Sequence, residues 1–383
     1  MNLLERELNY PLGDALPAPG ETLEVAPGVR WIRMALPFAL DHINLWLLRD
    51  RIDGREGWTV VDCCISHEKS RAQWEQIFET QLQGLPILRV IVTHMHPDHI
   101  GLAGWLCERW SGRGAGPPQG AASPLGGQRG VEDASVGAHE CSLWISSTDY
   151  HVARVLTEAG DTLAGGDAAA DFFLAHGLTE PGAIGSIRGR RNYYAEMVPS
   201  VPASFVRMLD GDTVTIGGHA WRCISGYGHA PEHISLYCDA LKVLLGGDMM
   251  LPRISTNVAV HAGEPEANSL RLFLDSIDKF KALPADTLTL PAHGKPFTGI
   301  HARVRQLQDH HRDRLAELME ACSIRPHTAA EALPILFKRP LDVHQTTFAM
   351  GESIAHLHFL WFAGQLQRTR ADDGVWRFGT NVR

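Results

Sequence analysis

The chain has no run of about eighteen apolar residues, so no membrane-spanning helix is expected. Its start, Met1-Asn2-Leu3-Leu4-Glu5-Arg6, lacks the basic and then apolar stretch of a secretory leader, and a cytoplasmic location is the expectation. Positive charge is scarce: 35 Lys and Arg against 44 Asp and Glu leave a formal net charge of −9. That balance argues against a protein gripping nucleic-acid phosphates over its whole surface, while leaving room for a local basic patch. No Cys-x-x-Cys pair occurs, and the seven cysteines are odd in number and scattered through apolar segments. They read as reduced core thiols, not as a disulfide framework or a sulfur-bound zinc site. With 383 residues, 44% hydrophobic and 21% charged, the chain fits a large globular domain plus a small one. Histidine, in contrast, is abundant at twenty residues.

Three of those histidines crowd one place. Leu88-Arg89-Val90-Ile91-Val92 reads as a buried strand and runs through Thr93 into His94-Met95-His96-Pro97-Asp98-His99. Pro97 suits the first turn of a helix, so Asp98 and His99 start a helix beside the strand end. Imidazole and carboxylate donors at this density suit a divalent metal of the zinc class, and the spacing leaves room for two ions.

Around this stretch, strand-like runs occur at 22–25, 29–32 and 43–48, and again at 58–61, which ends at Asp62. Helical spacing covers about 68–83 and 100–110. Residues 111–140 are rich in Gly, Ala and Pro and read as a flexible surface insertion before a strand at 141–145. Residues 148–208 look helical, either a lid or a packing layer. Strands then return at 213–216, 220–224, 234–238, 241–245 and 287–290, with a helix at about 268–283. Three of these strands end in His229, Asp248 and His293, each beside glycine, as expected where backbone passes close to a crowded site. Strand ends converge on one sheet edge. Seven donors therefore share out between two ions: His94, His96 and His229 on one, Asp98, His99 and His293 on the other, and Asp248 bridging.

The segments His94-Met95-His96-Pro97-Asp98-His99, Gly228-His229-Ala230-Pro231, Gly246-Gly247-Asp248 and Ala292-His293-Gly294 resemble, in order, the motifs of the metallo-β-lactamase superfamily. The resemblance covers about residues 20–300. It implies an α/β (α+β) fold, a four-layer αββα sandwich with a dinuclear site at one edge. His99 together with a bridging Asp248 makes the chain look more like the glyoxalase II type of hydrolase than the true β-lactamases. Asp62 matches the family's early strand-end aspartate, which supports the metal loop. Cys63-Cys64 departs from the small residue and glycine of many members, leaving the local loop shape open.

Two adjacent cations lower the pKa of a shared water and polarise a substrate oxygen, with Asp98 holding the nucleophile in line. Zinc is the expected metal, and iron or manganese suits the same donors. His233 is either a support behind the donors or a solvated surface histidine. Asp41, His42, Arg253 and Asn257 either line the substrate pocket or cap turns. The catalytic domain is expected over 1–300 and a second domain over 301–383. The latter reads as helices at 301–322, from 328 until Pro334 cuts it, and at 351–367, with a hairpin at 369–378. Its outline resembles the winged-helix domain of some lactamase-like hydrolases, including an endoribonuclease group. The third helix carries Glu352 and few basic residues before Arg368, so packing against the catalytic domain or a homodimer partner is favoured over nucleic acid. The leading expectation is hydrolysis of a small thioester or ester. The alternatives are a phosphodiesterase or endoribonuclease, an iron-dependent sulfur dioxygenase, or a non-enzymatic nucleic-acid binder; the intact donor set opposes the last.

Overall fold

Alternation along the strands dictates the layers. In the computed structural model, which describes residues 3–112, 140–159 and 165–380, the first sheet holds β1 (Leu23–Ala26), β2 (Val29–Ala35), β3 (His42–Ile52), β4 (Arg55–Val61), β5 (Ile87–Ile91), β6 (Ser142–Ile145) and β7 (Val206–Arg207) in that order. Pairing is antiparallel from β1 to β4 and parallel from β4 to β7. The second sheet runs β12-β11-β10-β9-β8, with β8 (Thr213–Ile216), β9 (His219–Gly226), β10 (His233–Cys238), β11 (Val243–Gly247) and β12 (Leu288–Pro291). Its pairs are antiparallel except β11 with β12.

Trp31, Trp46 and Leu48 of the first sheet meet Trp221, Cys223, Ile234, Leu236 and Leu245 of the second in one buried core. The neighbouring residues on β2 and β3, Ile32, Met34, Ile43, Leu45 and Leu47, face the opposite way. There they pack with α1 (Glu68–Thr80), α3 (Ala103–Trp110) and α4 (Ser147–Ala159), and with Tyr194 of α7 (Tyr193–Met197). The short α2 (Pro97–Ile100) precedes α3. The outer face of the second sheet, through Ile224 and Leu244, joins α5 (Gly166–Ala175), α6 (Pro181–Gly189), α8 (Ser269–Asp278) and α9 (Ile300–Ile324). Period-two burial on both faces of both sheets produces the expected αββα sandwich.

The chain closes with α10 (Ala329–Leu336), α11 (Val343–Phe362) and the hairpin β13 (Gln367–Arg370) and β14 (Trp376–Gly379). Two expectations need correction here. Pro334 does not cut α10: the helix is a single short segment, and Ala329, Ala332 and Leu336 hold it in the core on either side of the proline. The helix expected over 351–367 begins eight residues earlier, where Asp342 and Gln345 form a capping box, and ends before Gly364, whose φ is +70°. The apolar faces of α11 are buried against α6, α8, α9 and α10 of the same chain. The described residues of 148–208 form α4 to α7 and β7, and these helices pack on the two outer faces. Of the expected insertion at 111–140, residues 113–139 lie outside the described residues. Among the described residues no helix is long and apolar enough to cross a membrane.

Candidate metal centre

β4 and β5 lie side by side and parallel, which brings Asp62 and the loop after β5 to one edge. Asp62 takes a left-handed turn (φ +61°) and its carboxylate points back into the loop. Oδ1 accepts the Thr93 backbone N–H at 2.8 Å, and Oδ2 accepts His99 Nδ1–H at 2.8 Å. Cys64 is also left-handed (φ +70°), where a glycine would be strain-free, and both cysteines are buried. Their loop bonds directly to the donor segment, Cys63 N–H to His99 O at 2.8 Å and Leu102 N–H to Cys64 O at 3.1 Å.

The seven expected donors meet at the sheet edge in two groups. In the first, His94 Nε2 lies 2.9 Å from His96 Nδ1 and 3.2 Å from His229 Nε2, and His229 Nε2 lies 3.2 Å from Asp248 Oδ2. In the second, Asp98 Oδ2 is 3.4 Å from His293 Nε2 and 3.8 Å from His99 Nε2. The other oxygen of Asp248, Oδ1, is 3.4 Å from His293 and 3.6 Å from His99, so one carboxylate spans both groups.

Backbone carbonyls can only accept. His229 Nδ1 therefore donates to Asn257 O and His293 Nδ1 to His42 O, each at 2.7 Å, which aims each Nε2 into the cluster. His99 Nε2, His293 Nε2 and Asp248 Oδ1 are buried with no hydrogen-bond partner. Imidazole nitrogens and carboxylate oxygens gathered at these distances in a buried cluster suit positive charge among them, and the donor types are those of divalent zinc, iron or manganese. The residues fit two divalent ions.

The electrostatics divide along the same line. Burial, reinforced by neighbouring imidazoles, holds His94 well below its ordinary pKa, and burial with His229 beside it brings His96 to about 3. Burial also opposes charge on His99 and His293, but carboxylates outweigh it. Asp62, Asp98 and Asp248 push His99 well up, and Asp248 with Asp98 raises His293 to about 10. Burial would raise Asp98, yet His99 and His293 hold it at about 2, an ionised acceptor.

The supporting residues vary in how they are engaged. His233 is fully buried and not a surface histidine: its Nε2 accepts the Asp248 N–H at 3.2 Å, and its ring lies 5.0 Å from that of His94. His42 has both nitrogens engaged, Nδ1 with Asp41 at 2.5 Å and Nε2 with Gly294 N–H at 2.8 Å. The Asp41 side chain is 80% exposed, and Arg253 is exposed. The amide of Asn257 donates to Glu352 at 3.3 Å, while its carbonyl serves His229. Helix α11 also carries an aromatic cluster. His344 of α11 stacks with Phe38 at 6.2 Å and meets Tyr193 at 6.3 Å and Phe348 at 5.0 Å.

Several supports lie outside the residues singled out by sequence. Asp149, buried at the start of α4, accepts the N–H of Met95 at 2.8 Å and of Glu232 at 2.6 Å, clamping both histidine loops together. Its signal was the Ser146-x-x-Asp149 helix start, which reads only as a cap. Thr256 Oγ1 donates to Asp248 O at 2.5 Å, and Tyr194 Oη to Met95 O at 2.5 Å. Asn44 donates to Pro291 O and Gly294 O, both at 2.8 Å, fixing the approach of His293.

The fold and donor set define a metallo-hydrolase class, and comparison with known proteins agrees. The metallo-beta-lactamase superfamily model matches residues 39–293, and a metallo-beta-lactamase-like C-terminal domain model matches 315–381. The chain belongs to the metallo-beta-lactamase superfamily. A solved beta-lactamase domain protein from Burkholderia ambifaria is 50% identical with a TM-score of 0.87, over 99% of this chain and 100% of that one. A probable metallo-hydrolase of Bacillus subtilis, YqjP, is 22% identical over 86% of this chain and 91% of its own length. A hydroxyacylglutathione hydrolase of Erythrobacter litoralis is 28% identical over 34% of this chain and 49% of its own length.

Proposed function

We propose that this chain is a dinuclear metal-dependent hydrolase of a small thioester or ester. The observation that carries the reading is the single Asp248 carboxylate reaching both donor groups, with the buried Nε2 atoms of His99 and His293 unpartnered in the second. His94, His96 and His229 would hold one divalent ion, Asp98, His99 and His293 the other, and Asp248 both. When bound, such a pair supplies Lewis acidity toward the substrate carbonyl and lowers the pKa of water.

The chain's own residues do the rest. Asp98 stays ionised at neutral pH and accepts a hydrogen bond from the attacking water, fixing its direction. Asp62 sets the tautomer of His99, and the carbonyls of Asn257 and His42 set those of His229 and His293, so every Nε2 faces inward. Asp149 and Asn44 hold the donor loops in register. The partial likeness to a hydroxyacylglutathione hydrolase supports a thioester. Seven free thiols suit the reducing cytoplasm.

Metal analysis of the purified protein, coupled to a panel of thioesters, esters, phosphodiesters, lactams and RNA, tests the proposal. About two zinc, manganese or iron ions per chain with thioester or ester turnover is the expected result. Turnover confined to phosphodiesters or RNA, or oxygen uptake with a persulfide, would replace it with the corresponding alternative.

A further inference from the structure

Helix α11 crosses the segment that follows β11 at backbone contact. Gly351 O accepts the Val260 N–H at 3.0 Å, and a Cβ at Gly351 would stand 2.7 Å from that of Ala259. The next residue, Glu352, reaches past this contact to Asn257, whose amide donates to Glu352 Oε2 at 3.3 Å. The same Asn257 offers its carbonyl to His229 Nδ1–H at 2.7 Å, and its neighbour Thr256 donates to Asp248 O at 2.5 Å. Residues 256 and 257 thus stand directly behind two donors of the first metal group, and the carboxyl of Glu352 stands behind them.

We propose that Glu352, supplied by the C-terminal helix α11, is a positioning residue of the metal centre: by holding the Asn257 amide it fixes the carbonyl that orients His229. This rests on the reading of the cluster as a dinuclear metal site. A purely structural anchor between α11 and the 256–260 segment needs no acid there, since the Gly351–Val260 bond already supplies one. Burial pushes the Glu352 carboxyl up to about 7, and the Asn257 bond is what opposes that rise. A carboxyl kept in such surroundings by one amide fits a group retained for what it holds.

The test compares Glu352→Gln, which keeps an acceptor for Asn257, with Glu352→Leu, which removes it at similar bulk. Zinc affinity is read by competition with a chromophoric chelator, and the geometry around His229 by the visible spectrum after cobalt(II) substitution. Glu352→Leu is expected to weaken zinc binding about 10-fold or more with an altered cobalt spectrum, and Glu352→Gln to stay within about 3-fold of wild type. Asn257→Ala, which keeps the carbonyl but frees it, should show the same loss, and adding Glu352→Leu to it should add nothing further. Folded Glu352→Leu with wild-type zinc affinity and cobalt spectrum overturns the proposal, as does full additivity with Asn257→Ala. Where Glu352→Leu does not fold, Asn257→Ala with wild-type affinity and spectrum overturns it equally. Wild-type protein that binds no divalent ion overturns the metal-centre reading itself, and this proposal with it.

Discussion

Two groups of buried histidines, one at the sheet edge and one among the outer helices, are built on different rules. At the sheet edge, His94, His96, His99, His229 and His293 are interleaved with Asp98 and Asp248 and backed by Asp62. Among the C-terminal helices, His311 Nδ1 meets His356 Nε2 at 3.1 Å, His356 Nδ1–H donates to Glu352 O at 2.8 Å, and His358 Nδ1–H donates to Ala267 O at 3.0 Å. His176 of α5 likewise donates to Phe172 O at 2.8 Å. No carboxylate oxygen bonds these four rings among the described residues. The edge group turns its donor atoms inward among balancing acids, as a cation requires. In the helical group burial holds the rings neutral, each is bonded to a carbonyl or to another ring, and the Nε2 atoms of His176, His311 and His358 have no partner; what this group lacks is a carboxylate among its rings. Histidine abundance therefore does not identify a metal site. Interleaved carboxylates do.

The contrast is most directly broken at the acids. Asp248→Ala or His96→Ala is expected to remove bound metal and hydrolysis together, lowering kcat/KM by at least about 1,000-fold. Elemental analysis and turnover of the purified variants check this, and wild-type turnover in either one would break the distinction drawn here. A second, smaller effect separates the groups by pH in metal-free protein. Burial holds His176 and His356 at about 4 in the fold, below their ordinary 6.5. As pH falls from 6.5 to 4 the unfolded chain takes up those protons first, so each ring withdraws stability, up to about 3 kcal/mol apiece. His293, raised to about 10, works oppositely: its contribution is complete below 6.5 and is lost as pH rises toward 10. Urea midpoints of metal-free protein at several pH values should fall on both limbs, and His356→Leu should flatten the acidic one only. The smallest effect tests support at a distance. Asp62→Asn leaves His99 without its carboxylate and is expected to weaken metal affinity about 10- to 100-fold. His311→Leu, on the other side, should leave zinc affinity, measured by chelator competition, at the wild-type value.

Much of the edge group was readable beforehand because these donors follow strand ends, and His229, Asp248 and His293 have glycine beside them. Strand ends on one edge converge whatever the loops between them do. His94, His96, His229, Asp248 and His293 follow from that rule, and the two-group division seen in the distances is the one the spacing suggested. The layered sandwich followed from period-two burial on strands such as β2 and β3. The C-terminal helices were harder to read. Pro334 inside α10 and the long apolar run of α11 obscure the ends of both, because tertiary packing overrides a local breaker. Asp149, Thr256, Asn44 and Glu352 carried no readable signal of function. Each acts through one hydrogen bond to a segment far away in the chain, and a bond of that kind leaves no periodicity behind.

By itself, then, the order of residues determined which side chains could bind a cation and that they would sit at one edge of a layered sheet structure. Those properties are local: donor chemistry, strand period and the turn after each strand. Only the tertiary structure decided which nitrogen of each imidazole faces inward, and that a helix from the far end of the chain stands behind His229. Those depend on distances of a few ångströms between segments that sequence separation does not constrain.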